Sequence, residues 1–433
     1  MDKPIIRSIL DNDLYKFTMQ QAVLELFPEA VVKYRFINRG KHKFNSLFAS
    51  KLQHQVNLLS NLSLTDTEYS YLKENIPFLK PSYLEYLRNY RFDPSEVKIS
   101  FNEQDGLKIG ISGRWHSTIL WEVVLMSLIS ELYFKHVDNS WFNNEKNNHP
   151  DKESLEAHWA VQEDKAYEKA RLLSRGNHEG AVNIWSDKGC QFAEFGTRRR
   201  RSRKFQDSVV AGFDRHKRLN SSSIFSAPFV STFIGTSNVY FAMKYNTKPI
   251  GTHAHEWFQA MSVLEGLRHA NYFGLTNWKR VYTGQLGIAL PDTYGTNAFL
   301  DDFSLELAKL YDGVRHDSGD PYIFADKIIY NYKKLGIDPK SKTIVFSDSL
   351  NVEKAIDLKN YCGDMIKCSF GIGTHFTNDV EGSYALNMVI KLCGVEGIPV
   401  VKLSDSPGKA TGDPDAIRVA QWTFFNTPLD IKG

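Results

Sequence analysis

Four carboxylates, a histidine pair and a run of arginines stand where they could do chemistry. Asp292, Asp317, Asp320 and Asp348 each follow a short apolar run, and carboxylates so placed can bind Mg²⁺ through water or hydrogen-bond sugar hydroxyls. One alone would be an ordinary helix-cap aspartate; four in succession suggest a shared rim. His253 and His255 flank Ala254. They could be a metal pair of the H-x-H type found in barrel hydrolases, which would need further His or Asp ligands on later strands. Alternatively one is a nucleophile or general base and the other packs or faces solvent. Spacing leaves both readings open, and His316 and His375 have no supporting pattern.

Residues Arg198 to Lys204 form a dense basic run. Such a run is ordinarily a solvated face, and it can also be a nucleic-acid patch. Its position directly after Glu194-Phe195-Gly196 favours an anion clamp by Arg198 and Arg199, whose guanidinium groups suit phosphate or carboxylate; the remainder reads as surface. Gly371-Ile372-Gly373-Thr374 could offer backbone N–H groups to a phosphate.

The elements that must position these groups alternate. Seven apolar runs read as buried strands: Phe192 to Phe195, Phe229 to Ile234, Pro249-Ile250, Leu286 to Leu290, Gly313-Val314, Thr343 to Phe346 and Cys368 to Phe370. Each ends in a charged, hydroxyl or glycine cluster and gives way to a helical pattern. Short strands alternating with helix-length segments predict parallel β/α units, with the chemistry on one rim of an irregular, TIM-like β/α barrel. Before it, residues 8 to 27 predict an amphipathic helix and Val31 to Ile37 a strand. Thr65 with Glu68 predicts a capping box. Val97 to Phe101 and Leu107 to Ile111 predict strands, and Ile119 to Phe134 a buried helix, short of the ~20 residues that span a bilayer. The organisation expected is an N-terminal α+β domain over 1–142, an exposed polar loop at 143–152, the barrel over 155–380, and a segment over 381–433 whose strands, from Leu386 to Leu392 and Pro399 to Leu403, return to the first domain.

Composition bounds the rest. The chain has 433 residues, 42% hydrophobic and 24% charged, as in soluble globular proteins of two or three domains. A net charge of +3 against 53 basic and 50 acidic residues gives no global field for nucleic acid or membrane. Four cysteines without C-x-x-C spacing suit reduced thiols in the cytoplasm. The N-terminus has no apolar core of signal-peptide length.

Several of these motifs resemble, in order and spacing, the nicotinate phosphoribosyltransferases: Ser8 to Met19, Glu194 to Ser202, Gly235 to Asn238, Gly251 to Trp257, Val314 to Pro321 and Phe346 to Asn351. The resemblance implies an enzyme of NAD biosynthesis that joins nicotinate to phosphoribosyl pyrophosphate, releasing pyrophosphate, with Mg²⁺ as cofactor and ATP as co-substrate. It implies an N-terminal α/β domain on an irregular barrel, often dimeric with the site between subunits. Residue by residue, it places Phe195 on one face of the pyridine ring and Tyr15, from a partner subunit, on the other. Arg315 would meet the nicotinate carboxylate, Arg198 the phosphoribosyl donor, and Asp317 the ribose. Ser237 stands where nicotinamide-using relatives have an aspartate, whose charge would repel nicotinate. Ser347, Gly371, Gly373 and Thr374 would cradle phosphate, with further contacts from Lys402, Ser404 and Lys409. His255 matches the histidine that ATP phosphorylates, and His253 a variable position. No protein ligand set for a metal is assigned. His316 and Ser349 depart from the family pattern, His316 where a neutral polar residue is expected and Ser349 where many relatives have glycine.

Overall fold

A computed structural model describes residues 3–139, 152–175, 189–221, 231–406 and 408–425. The expected loop at 143–152 therefore lies, apart from Lys152, outside the described residues, as do Phe229 and Val230 of one expected strand.

Alternation of outward and inward side chains makes β1 (Val31–Asn38) a half-buried strand, with Val32, Tyr34 and Phe36 turned to the core. Strands β2 (Val97–Asn102) and β3 (Gly106–Arg114) form a hairpin beside it. Six short strands follow: β4 (Gln191–Glu194), β5 (Phe233–Thr236), β6 (Ile288–Ala289), β7 (Gly313–His316), β8 (Thr343–Phe346) and β9 (Lys367–Ile372). Then come β10 (Met388–Val395) and β11 (Ile398–Pro399). The first sheet is antiparallel in the order β11-β10-β1-β3-β2, so β10, distant in sequence, pairs with β1 from Val32 opposite Val395 to Asn38 opposite Met388.

The helix expected over 8–27 begins only at Leu14 and runs to Leu26. Residues 8 to 13 are held as turns because their short polar side chains bond locally instead, Leu10 N–H donating to Ser8 Oγ and Asp13 N–H donating to Asn12 Oδ1, while Asn12 Nδ2 ties the turn to the distant Leu120 O. The Thr65–Glu68 capping box is present. The expected buried helix runs Trp121–His136, directly after the short helix Trp115–Thr118. Together residues 115–136 are long and apolar enough to cross a bilayer, yet 83% of the most apolar window is buried inside the fold, as befits core helices.

The second sheet is parallel, in the order β5-β4-β9-β8-β7-β6. Covered on both faces, its strands are nearly continuous apolar runs, and every residue of β9 after Lys367 is buried. The expected barrel is not closed among the described residues. Past β5 the chain adds a single parallel bridge, Thr236 to Pro249, because proline has no N–H to extend a ladder. From there towards β6, Thr252 Oγ1 donates to Ile288 O at 3.3 Å. Outside this sheet, helices Lys152–Arg175 and Arg203–Ser221 pack closely; a Cβ at Gly212 would lie 2.3 Å from Glu163 O. None of the four cysteines, all among the described residues, forms a disulfide.

Candidate active site

The C-terminal ends of the parallel strands, the N-terminus of the helix Leu14–Leu26 and strand β10 enclose a cavity of about 530 Å³. Phe195, just past β4, lies against β9: a Cβ on Gly371 would fall 2.2 Å from its ring, and one on Gly373 would fall 2.9 Å from its carbonyl oxygen. Glycine at 371 lets the aromatic ring lie against the strand end, and glycine at 373 lets the Phe195 backbone do so. Tyr15 of the same chain lines the same cavity.

Across the cavity, Arg315 at the end of β7 sets Nη2 3.2 Å from Asp317 Oδ1. The Ser347 hydroxyl donates to that carboxylate at 2.9 Å. Burial pushes the Asp317 carboxyl up, but Arg315 and His255 outweigh it and hold it below the usual carboxylate range. Ser349 has φ +50°, in the left-handed region that favours glycine.

His255 begins the helix His255–Met261, and its Nε2 lies 2.8 Å from Asp292 Oδ1. Asp292 also receives the Ser318 hydroxyl at 2.5 Å and the Lys402 ammonium at 2.7 Å. Burial, with Lys402 beside it, pushes the His255 imidazole down to about 4, against the pull of Asp292. The pair is therefore a neutral imidazole on an ionised carboxylate. With Nε2–H donating to Asp292, Nδ1 keeps its lone pair.

Lys402, Ser404 and Lys409 line the cavity from a loop closed by the Lys402–Thr411 bridge. Asp405 pins that loop, accepting from Thr296 N–H at 2.9 Å and donating its own N–H to Ser318 Oγ at 3.1 Å. On the opposite side Arg198 is half-exposed, with Nη1 3.5 Å from Glu122 Oε1. Glu122 Oε2 lies 2.6 Å from the fully buried Lys16 ammonium, which also bonds Glu256. Lys391 of β10 enters the cavity, and burial lowers its amine to about 8. Ser237 donates to Asp13 Oδ1 at 2.8 Å. Glu194 ties the two neighbouring turns together, accepting from Gln206 Nε2 at 2.9 Å and Thr236 Oγ1 at 2.5 Å; burial raises its carboxyl to about 7.

The sequence pattern of the nicotinate phosphoribosyltransferase family matches residues 190–428, and that of the family's N-terminal domain matches residues 10–130. The chain belongs to the nicotinate phosphoribosyltransferase family. It is 51% identical over 431 residues to the nicotinate phosphoribosyltransferase of Methanosarcina mazei, covering 98% of this chain and all of that one. It is 40% identical to a probable nicotinate phosphoribosyltransferase of Schizosaccharomyces pombe, over 96% of this chain and 97% of the other. Among solved structures, the Porphyromonas gingivalis enzyme superposes with a TM-score of 0.84 at 38% identity, covering 97% of this chain and 100% of that one. A putative nicotinate phosphoribosyltransferase from Saccharomyces cerevisiae gives 0.86 at 38% identity, covering 99% and 100%.

The residues matched to the nicotinate phosphoribosyltransferase pattern, from Tyr15 to Lys409, share this one cavity. The rival readings fare differently. His253 turns away from His255 and is buried between Phe258 and Trp278, where burial lowers its imidazole to about 3; the two histidines do not form a metal pair. His316 is likewise buried against Phe324 and Phe346, its imidazole pushed down, so it adds no positive charge near Arg315. Beyond Arg199, where a solvated face is expected, the run divides: Lys204 is exposed, whereas Arg200 and Arg201 are buried. Arg200 is fully buried and pairs bidentately with Asp11 at 2.6 and 3.0 Å, while Arg201 stacks on Phe134 and bonds Ser383. Asp320 caps the helix Pro321–Lys334 and stays out of the cavity.

Sequence reasoning for a nicotinate phosphoribosyltransferase missed Asp13, Glu122 and Lys391, and saw Asp292 only as a rim carboxylate. A signal existed for two of them. Glu122 and Lys391 are lone charges inside apolar runs, and a buried charge needs a partner or a purpose.

Proposed function

We propose that the chain joins nicotinate to phosphoribosyl pyrophosphate, giving nicotinate mononucleotide and pyrophosphate, in the cytoplasm and with ATP hydrolysis coupled through a phosphorylated His255. The observation carrying this reading is the convergence of Phe195, Tyr15 and Arg315 with Arg198, Lys402 and Lys409 in one cavity. Two aromatic faces and a guanidinium suit a flat heteroaromatic acid; the other cations suit phosphates.

The pyridine nitrogen forms its bond to C1 of the ribose as the bond from C1 to pyrophosphate breaks. Positive charge builds on the sugar and negative charge on the leaving group, so cations fixed around the pyrophosphate favour the transition state. The ring nitrogen is already nucleophilic, and the protein's task is mainly orientation. Asp317, held ionised, would face the ribose. Asp317 and Asp348 both line the cavity, and carboxylate oxygens beside a diphosphate suit Mg²⁺, which these two residues would hold. The ion would supply charge neutralisation of the pyrophosphate.

For the coupled step, His255 Nδ1 attacks the γ-phosphorus of ATP and ADP leaves; water later cleaves the phosphoimidazole, releasing phosphate. Asp292 fixes the tautomer that leaves Nδ1 free, the same service a carboxylate gives a catalytic imidazole elsewhere. The cavity of one chain carries both Tyr15 and Arg315, which supports a site built within a subunit whether or not the enzyme is dimeric. The deciding assay measures product from phosphoribosyl pyrophosphate with nicotinate, nicotinamide or quinolinate, each with and without ATP. Preference for nicotinamide would overturn the substrate, and indifference to ATP would overturn the coupling.

A further inference from the structure

Glu122 is a carboxylate lining the cavity on the side of Arg198, across from Asp317 and Asp348. It sits in the first turn of the helix Trp121–His136 with its side chain 8% exposed. By itself it would repel a diphosphate, and a phosphate-binding cavity gains nothing from a bare carboxylate. Its two oxygens have different partners. Oε2 is fixed 2.6 Å from Lys16, which has no exposure and is locked in turn by Glu256. Oε1 faces Arg198 Nη1 at 3.5 Å. Glu256 is itself anchored, accepting from Tyr34 Oη and from Trp115 Nε1, each at 3.3 Å. The chain of contacts runs from the buried core through Lys16 and Glu122 to a guanidinium whose side chain is 42% exposed.

We propose that Glu122 is a positioning residue for the phosphoribosyl donor, which uses Lys16 as a fixed anchor and holds the Arg198 guanidinium in the cavity before substrate arrives. The proposal rests on Arg198 being a donor contact. Arg198 has a long side chain with much rotamer entropy to lose; a carboxylate that cannot itself move removes part of that cost from the binding step. Lys16, shared with Glu256, answers part of the Glu122 charge, and the Glu122 contact engages one Nη of Arg198, which leaves its other N–H groups for a phosphate. The same carboxylate opposes the loss of charge on Lys391, where burial, Lys402 and Arg198 all act in the other direction.

The test is a double-mutant cycle. Glu122→Gln keeps size and an oxygen for Lys16 but removes the charge. It should raise the KM for phosphoribosyl pyrophosphate roughly tenfold, the scale of one charge-assisted contact, with kcat and the KM for nicotinate changed much less. In the Arg198→Ala background the same change should have no further effect, because its target is gone. Pyrophosphate affinity by calorimetry should show the same non-additivity without turnover. Additive effects alongside a normal Arg198→Ala defect would overturn the positioning role alone. An Arg198→Ala enzyme with unchanged donor KM would overturn the reading of Arg198 and the proposal with it. If Glu122→Gln does not fold, Glu122→Asp, which keeps the charge but shortens the reach, replaces it in the same cycle with the same criterion.

Discussion

The Ser237 hydroxyl donates to the Asp13 carboxylate across 2.8 Å, and burial raises that carboxyl above its usual range. A carboxylate therefore already stands beside the position where serine seemed to keep charge away. What serine avoids is a second one, since like charges in contact cannot both ionise.

Ser237→Asp should lower kcat/KM for nicotinate by about 1–3 kcal/mol, the range one pocket contact controls. Asp13→Asn in the same chain should recover part of the loss. Steady-state kinetics of the single and double variants read this directly; equal loss with and without Asp13 would show that the two carboxyls do not interact.

Phe195→Ala should raise the KM for nicotinate far more than that for phosphoribosyl pyrophosphate, since ring stacking is worth about 0.5–1.5 kcal/mol beyond area burial. Because Tyr15 and Arg315 line the cavity of one chain, mixing inactive Tyr15→Ala and Arg315→Ala proteins should restore no activity. Recovery through subunit exchange would place Tyr15 in the partner's site.

His255→Ala should abolish ATP hydrolysis and leave weak ATP-independent synthesis. Incubation with γ-labelled ATP should give an acid-labile, base-stable label that this variant lacks. The pH profile carries a second signature. Because the folded imidazole lies near 4 and not near 6.5, it stays neutral and nucleophilic across that interval, so labelling should persist as pH falls to about 5 in citrate buffer. Loss of labelling centred near 6.5 would mean that His255 titrates as an exposed imidazole does. His253→Ala should keep the label and instead lose stability, on the order of 2–4 kcal/mol for a large core side chain, seen as a lowered unfolding midpoint.

Arg200→Ala should destabilise the fold by up to about 3–5 kcal/mol, because it takes the bidentate partner from the buried Asp11 carboxylate and leaves it only Arg203 Nε at 3.2 Å and Asn238 Nδ2 at 2.8 Å. Lys204→Ala, which removes an exposed ammonium and leaves the buried Asp207 its second partner Lys244, should stay within about 0.5 kcal/mol of the parent. Denaturant melts compare the two; similar small effects would return the whole run to the surface.

The β/α alternation was legible because each apolar run is bounded by turn residues, and the runs at Thr343 and Cys368 became strands with nearly the same limits. Closure of the sheet was not legible. It depends on whether Pro249-Ile250 can extend a ladder, and proline's missing N–H limits it to one bridge. The cavity's chemistry was readable where a motif carried it, as at Arg315 and Asp317. Pairings across hundreds of residues, such as His255 with Asp292 or Lys16 with Glu256, leave no trace in local spacing. The arginine run shows the same limit: four similar residues divide between cavity and core by which way each side chain turns, and only the packing of Asp11 and Phe134 decides that.

The pairing of β10 with β1 has a consequence for how the protein is made. A ribosome releases β1 hundreds of residues before β10 exists, so the nascent chain carries β1 with one edge unpaired, a template for wrong partners. Lys391 arrives with β10 and Lys402 and Lys409 after it, so the cavity cannot be complete until synthesis has passed residue 409. Folding intermediates caught on the ribosome before that point should bind neither substrate and should depend most on chaperones.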